Sequence, residues 1–201
     1  MRPTVFREIK MKNNLKQSLA FLLIFVVLTG VLYPLLVTGL AAVIFPWQAG
    51  GSLIKSPDGM VIGSQNIGQE FTSPKYFWGR PSATAGQPYN AMASGASNLS
   101  VLNPDLAKQV EGRMARLKAA DPDNTLPVPV DLVTASASGL DPNISPAAAY
   151  YQVHRVASTR GLTEQKVRDL VTARIEKPFL GIIGEPRVNV LSLNMTLDSV
   201  Q

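Results

Sequence analysis

The sequence predicts a single N-terminal transmembrane helix followed by one small exterior α+β domain. Three observations predict this. No charged residue occurs between Lys16 and Lys55. Within that window "LAFLLIFVVLTGVLYPLLVTGLAAVIF" (Leu19–Phe45) is almost wholly apolar. Beyond it, helix caps and short β-favouring runs follow in the order β, loop, α, β, α, α, β, as a small domain on one core requires.

The anchor comes first. A bilayer core needs about 20 helical residues, so residues 19–45 can span it with some tilt. Pro34 removes one helical hydrogen bond and predicts a kink near mid-span. Trp47 suits the membrane–water interface. A cleaved signal peptide fits less well, because the run exceeds the roughly 7–15 residues of a signal core and no clear A-x-A pattern follows. Pro46 and the pair Gly50-Gly51 close the window too early for two spans. Ahead of the run lie Arg2, Arg7, Lys10, Lys12 and Lys16 against Glu8 alone. Positive flanks stay inside, so residues 1–18 are expected in the cytoplasm and residues 46–201 outside. Of 19 basic and 14 acidic residues, those leave 14 and 13 for the exterior part, which carries no nucleic-acid surface. With no cysteine, the domain has neither disulfides nor thiolate metal ligands.

The exterior elements follow. Ser52–Lys55 and Met60–Ile62 flank Pro57-Asp58-Gly59 and read as a hairpin. Residues 73–98 lack periodicity and are rich in Gly, Pro, Ser and Ala. A loop so long is functional or disordered more often than incidental, and the cluster Tyr76, Phe77, Trp78 predicts that this one is packed down. Asn103 caps a helix with Pro104 at its first position, and Leu106, Val110, Met114 and Leu117 share one face until Asp121-Pro122. Leu126–Thr134, "LPVPVDLVT", is a strand candidate whose prolines favour an edge or a start. Ser145 caps a second helix, running to about Thr159 and stopped by Gly161. Thr163 caps a third, with Val167, Leu170, Val171, Arg174 and Ile175 on one side and Leu162 with Val167 as a hydrophobic staple. The tail Arg187–Asp198 alternates apolar and polar residues with a slip at Leu191, the pattern of a strand with one bulge.

The loop "VTASASGLD", residues 133–141, raises the question of a serine nucleophile. Such a residue needs a base within hydrogen-bond reach and a group to orient that base. The single histidine, His154, falls inside a helix beside Arg155 and reads as a surface or packing residue. G-x-S-x-G is absent, and the one S-x-x-K match, Ser52 to Lys55, lies beside the membrane. Asp131 and Asp141 flank the loop, but Asp141-Pro142-Asn143 reads as a turn. No phosphate loop and no clustered metal ligands occur. The loop therefore reads as a tight strand-to-helix connection that could meet a partner.

Several ordered blocks carry a resemblance: "GVLYPLLVTGL", "FPWQAGGSLI", "YFWGRPSAT", "SGASNL", "VPVDLVTASASGLDPNISPAAA", "RVA" and "GEPRVNVLSLN". Together they span nearly the whole chain, which resembles the C subunit of the bacterial Kdp-type potassium-transporting ATPase. Ala91 and Ala96 stand where that family suggests proline and glycine. The resemblance implies a non-catalytic accessory subunit of an ATP-driven, high-affinity K⁺ importer in the bacterial inner membrane. Its implied partners are a potassium-binding, channel-like subunit and a P-type ATPase subunit, besides membrane lipid and with no nucleic acid. The family is held to act as a catalytic chaperone that raises the ATPase subunit's affinity for ATP. The chain itself lacks the D-K-T-G phosphorylation motif. No cofactor is assigned to it: ATP acts on the complex and K⁺ is the transported ion. The competing reading is a free-standing, membrane-anchored serine hydrolase.

Positive flanks place the domain opposite ATP, so an effect on ATP binding would pass through the membrane helix as a shift in the partner's conformational equilibrium. The domain is expected to cap the outer mouth of the ion-binding subunit, with loops Tyr76–Thr84 and Val133–Asp141 as its exposed contact surface. The candidate contacts are Tyr76, Phe77, Arg80, Ser82, Ser136, Ser138 and Asp141. In the membrane, Gly30 and Gly39, with Pro34 between them, would let a partner helix pack closely.

Overall fold

The computed structural model describes residues 4–200, and the chain divides into two units, Met1–Ser52 and Leu53–Gln201. Arg2, and the side chains of Arg7, Glu8, Lys10 and Lys12, lie outside what is described.

The first unit is helical. Helix α1 (Thr4–Val27) passes through a π turn at Leu28–Leu32 into α2 (Tyr33–Ile44), and the short α3 (Pro46–Ala49) follows. The π turn answers the proline. Pro34 has no N–H to give, and one residue earlier Tyr33 donates to the Leu28 carbonyl, five residues back. Helical structure thus continues through Pro34. Asn13–Ile44 is long and apolar enough to cross a membrane.

The second unit is α+β. Strands β1 (Leu53–Lys55) and β2 (Val61–Ser64) form an antiparallel hairpin with Gly59 at φ +82 in its turn. Helix α4 (Pro104–Ala120) starts at Asn103, whose side chain accepts from the Asp105 N–H, and ends at Asp121. A second sheet has the order β3–β5–β4, antiparallel throughout, from β3 (Asn143–Ile144), β4 (Ile175–Glu176) and β5 (Arg187–Asn189). Helices α5 (Pro146–Tyr151), α6 (Val153–Arg160), α7 (Glu164–Ala173) and α8 (Val190–Asp198) complete it. Ser145 and Thr163 cap α5 and α7, and Gly161, left-handed at φ +65, closes α6. The core joins Val153, Val156, Val167, Val171, Val188 and Leu193 to Phe77 of the long loop.

Four expectations are corrected. Leu126–Thr134 is no strand: the chain turns through a 3₁₀ segment at Val130–Leu132, since Pro127 and Pro129 lack the donors a ladder needs. The second helix is two, α5 and α6, broken at Gln152. The third ends at Ala173, so Arg174 lies beyond it and Ile175 belongs to β4. The tail is a strand only to Asn189, whose side chain then accepts from the Ser192 N–H and caps α8. Buried Val190, Leu191, Leu193, Asn194 and Leu197 recur at helical spacing, so the slip at Leu191 marked a 3.6-residue period.

Candidate docking face

The long loop holds its shape through two buried amides. Asn194 of α8 accepts the Phe77 N–H on Oδ1 (2.9 Å) and donates from Nδ2 to the Phe77 carbonyl (3.0 Å). Gln152, at the break between α5 and α6, does the same for Trp78, accepting at 2.7 Å and donating at 3.1 Å. Each side-chain amide stands in for a missing strand partner, satisfying backbone groups that burial takes from water. The Arg155 guanidinium lies 4.1 Å from the Trp78 ring centroid and donates to the Pro74 and Tyr76 carbonyls and to Gln152. Burial lowers its pKa to about 10, so it stays charged at neutral pH. None of these three anchors was singled out from the sequence. The one available signal was a polar residue, Asn194, on an apolar helical stripe.

Downstream, the chain is sewn to the segment 133–141. The Ser136 N–H donates to the Pro81 carbonyl, the Ser82 hydroxyl to the Gly139 carbonyl (2.7 Å), and Gly95 N–H and the Ser94 hydroxyl to the Ser138 carbonyl. Arg80 pairs with Asp141 at 3.2 Å, both partly exposed. Ser82 also accepts from the Tyr89 N–H, and the Tyr89 hydroxyl donates to the Arg80 carbonyl at 2.6 Å. Burial, with the Asp141 charge, pushes that phenol up to about 12, which keeps the proton it donates. Gly139 sits at φ +68, where a Cβ would meet the Thr84 side chain and the Gly95 carbonyl at 2.5 and 2.8 Å. Beside this seam, Arg80, Tyr89, Arg113 and Arg116 line a cleft of about 230 Å³ over Trp78.

The seven predicted contacts separate. Ser138 is exposed, and Arg80, Ser82 and Asp141 are half-buried within the seam. Tyr76, also half-buried, lies apart from it, donating to Asp198 at 3.0 Å beside Arg160. Phe77 is fully buried and Ser136 nearly so, which corrects the expectation that both are exposed. Their part is internal: Phe77 fills the core, and the Ser136 hydroxyl accepts from the Gly139 N–H at 2.8 Å. Met92, 98 % exposed on the same loop, was not foreseen. In the first unit, a Cβ built on Gly30 or Gly39 would meet nothing within 4 Å, so both leave open surface flanking Pro34.

The serine-hydrolase reading is not favoured. Ser136 and Ser138 spend their hydroxyls on the Gly139 and Leu140 N–H groups. His154 instead meets buried Asp121 through Nδ1 at 2.6 Å, which raises the imidazole pKa.

Comparison with known proteins agrees over nearly the whole length. The family model described as K⁺-transporting ATPase, c chain, matches residues 15–199. Among curated proteins, the potassium-transporting ATPase KdpC subunit of Polaromonas naphthalenivorans (strain CJ2) is 59% identical over 191 residues, covering 95% of this chain and 97% of that one. That of Herpetosiphon aurantiacus is 58% identical over 191 residues, 95% and 98% of the two chains. That of Methylibium petroleiphilum reaches 60% over 188 residues, 94% and 98%. With such coverage, the chain belongs to the family of C subunits of the K⁺-transporting ATPase.

Proposed function

We propose that this subunit is a non-catalytic docking element. Its domain lies outside the bacterial inner membrane and its paired loops press on the ion-binding subunit at the outer mouth. The observation that best supports this is the seam between residues 80–95 and 133–141, which fixes an irregular surface before any partner arrives. A pre-organised surface binds without the entropy cost of ordering loops on contact.

The influence on ATP follows as a conformational effect. A ligand or subunit shifts an equilibrium only by its differential affinity for the two states. Docked outside, the domain stabilises the state of the ATPase subunit that binds ATP better, with the membrane-spanning helix as the link. Nucleotide need not touch this chain, and K⁺ passes through the partner.

ATP hydrolysis measured against K⁺ and ATP, in complexes with and without this chain, tests the reading. The expected result is a higher apparent KM for ATP without the chain, restored on adding it back. Unchanged ATP and K⁺ dependence would overturn it. Protease added to intact spheroplasts should degrade the domain; full protection would reverse the orientation.

A further inference from the structure

A second apolar feature of the folded domain lies far along the chain, between β4 and β5. Phe179, Leu180, Ile182 and Ile183 are 68, 76, 82 and 60% exposed, and no residue from Pro178 to Gly184 has a polar side chain. Clustered exposure of this kind marks an interaction site.

We propose that this tip inserts into the headgroup–acyl boundary of the lipid bilayer, as a second membrane contact besides the N-terminal helix. The backbone favours lipid over a protein groove. Phe179 N–H donates to the Ile183 carbonyl and Ile183 N–H returns to the Phe179 carbonyl, at 2.9 and 3.0 Å. Gly181 N–H closes on the Pro178 carbonyl and Ile182 N–H on that of Phe179, at 3.0 and 3.2 Å. Donors satisfied in this way need no water, the condition for entering an apolar medium.

The conformation also presents apolar side chains at a cost. Leu180 stands at φ +53, a left-handed value that costs a non-glycine residue about 1–2 kcal/mol, and it exposes its side chain there. With no polar side chain to set a register, the tip suits partition into a fluid phase better than a specific pocket. Exposed Lys177 precedes it and exposed Glu185 follows it; Lys177, with exposed Arg174 further back, can meet lipid phosphates.

The tether makes lipid available. Residues 45–52, which include α3, join the end of α2 to the start of β1, a short link of eight residues. A bilayer crossed by the apolar helix is thereby held at high effective concentration near the folded domain. Insertion by about 5–10 Å would bury the four side chains. The proposal rests on the reading of that helix as an anchor.

The absence of native cysteine makes the test direct. Ile182→Cys in the full-length chain gives a unique thiol for an environment-sensitive fluorophore. The chain is reconstituted into phosphatidylethanolamine–phosphatidylglycerol vesicles with or without spin-labelled phospholipid. Flotation with the vesicles reports anchorage separately. The expected result is a floating chain whose probe is blue-shifted and quenched several-fold more than one at Ser158→Cys, an exposed site on α6. A floating chain with equal quenching at both positions would overturn the proposal while leaving the anchor. A chain that does not float would remove the anchor reading and the proposal with it. Loss of quenching at position 182 once the whole transport complex is reconstituted would assign the tip to a protein partner and equally overturn it.

Discussion

Two irregular stretches of the folded domain treat their apolar side chains in opposite ways. Residues 73–98 turn Phe77 and Trp78 inward and are fixed by side chains from other elements, Asn194, Gln152 and Arg155. Residues 178–184 turn Phe179, Leu180, Ile182 and Ile183 outward and close through backbone hydrogen bonds among their own residues. Lack of regular secondary structure therefore says little about a loop's purpose. What holds it is more informative. Long-range anchors preserve a fixed protein surface, whereas a self-closed tip can present apolar groups to a medium without form.

Breaking the first region should have the largest effect. Asn194→Leu keeps the volume and leaves the buried Phe77 N–H and C=O without partners. At about 1–3 kcal/mol for each stranded group, it should cost about 2–6 kcal/mol. Denaturant unfolding followed by Trp fluorescence reads the loss. Gly139→Ala comes next. Its positive φ and the crowding from Thr84 and Gly95 should cost about 1–3 kcal/mol and loosen the seam, seen as faster amide exchange at Gly95 and Ser136.

A smaller effect is pH-dependent. Asp121 raises the His154 pKa in the folded state, so the ion pair contributes fully below the unfolded value of about 6.5 and is lost as pH rises through the raised one. His154→Gln should flatten the stability–pH curve in that window while changing little above it. The smallest change in stability belongs to the second region: Phe179→Ser with Ile182→Ser should stay within about 0.5 kcal/mol, because both side chains are mostly exposed. A large loss there would mean that the tip supports the fold.

Local chemistry was legible. Asn103, Ser145 and Thr163 cap the helices that their side chains announced, and Gly161 stops α6. That the long loop is packed down was legible from the cluster Tyr76, Phe77 and Trp78, though not which of the three turns inward. The tail was misread because Val188, Val190, Leu193, Met195 and Leu197 fit an alternation with one slip, while Val190, Leu193 and Leu197 also fit a 3.6-residue period; the Asn189 cap decides for helix. The seam and the clamp were not legible. Their partners are up to 117 residues apart, and a single Gln or Asn gives no local sign of the distant backbone it will meet. Exposure of individual loop residues was equally hidden, which is why Phe77 and Ser136 stood beside Ser138 as contacts.

The docking surface is tested most directly at Ala137, exposed between the seam residues Ser136 and Ser138. Full-length chain carrying Ala137→Trp, affinity-tagged and extracted in mild detergent, is compared with wild type for the larger subunits it brings along. The expected result is an unfolding midpoint like that of wild type with most of the partner lost. Full recovery of the partner, with the same ATP dependence, would contradict docking through this face.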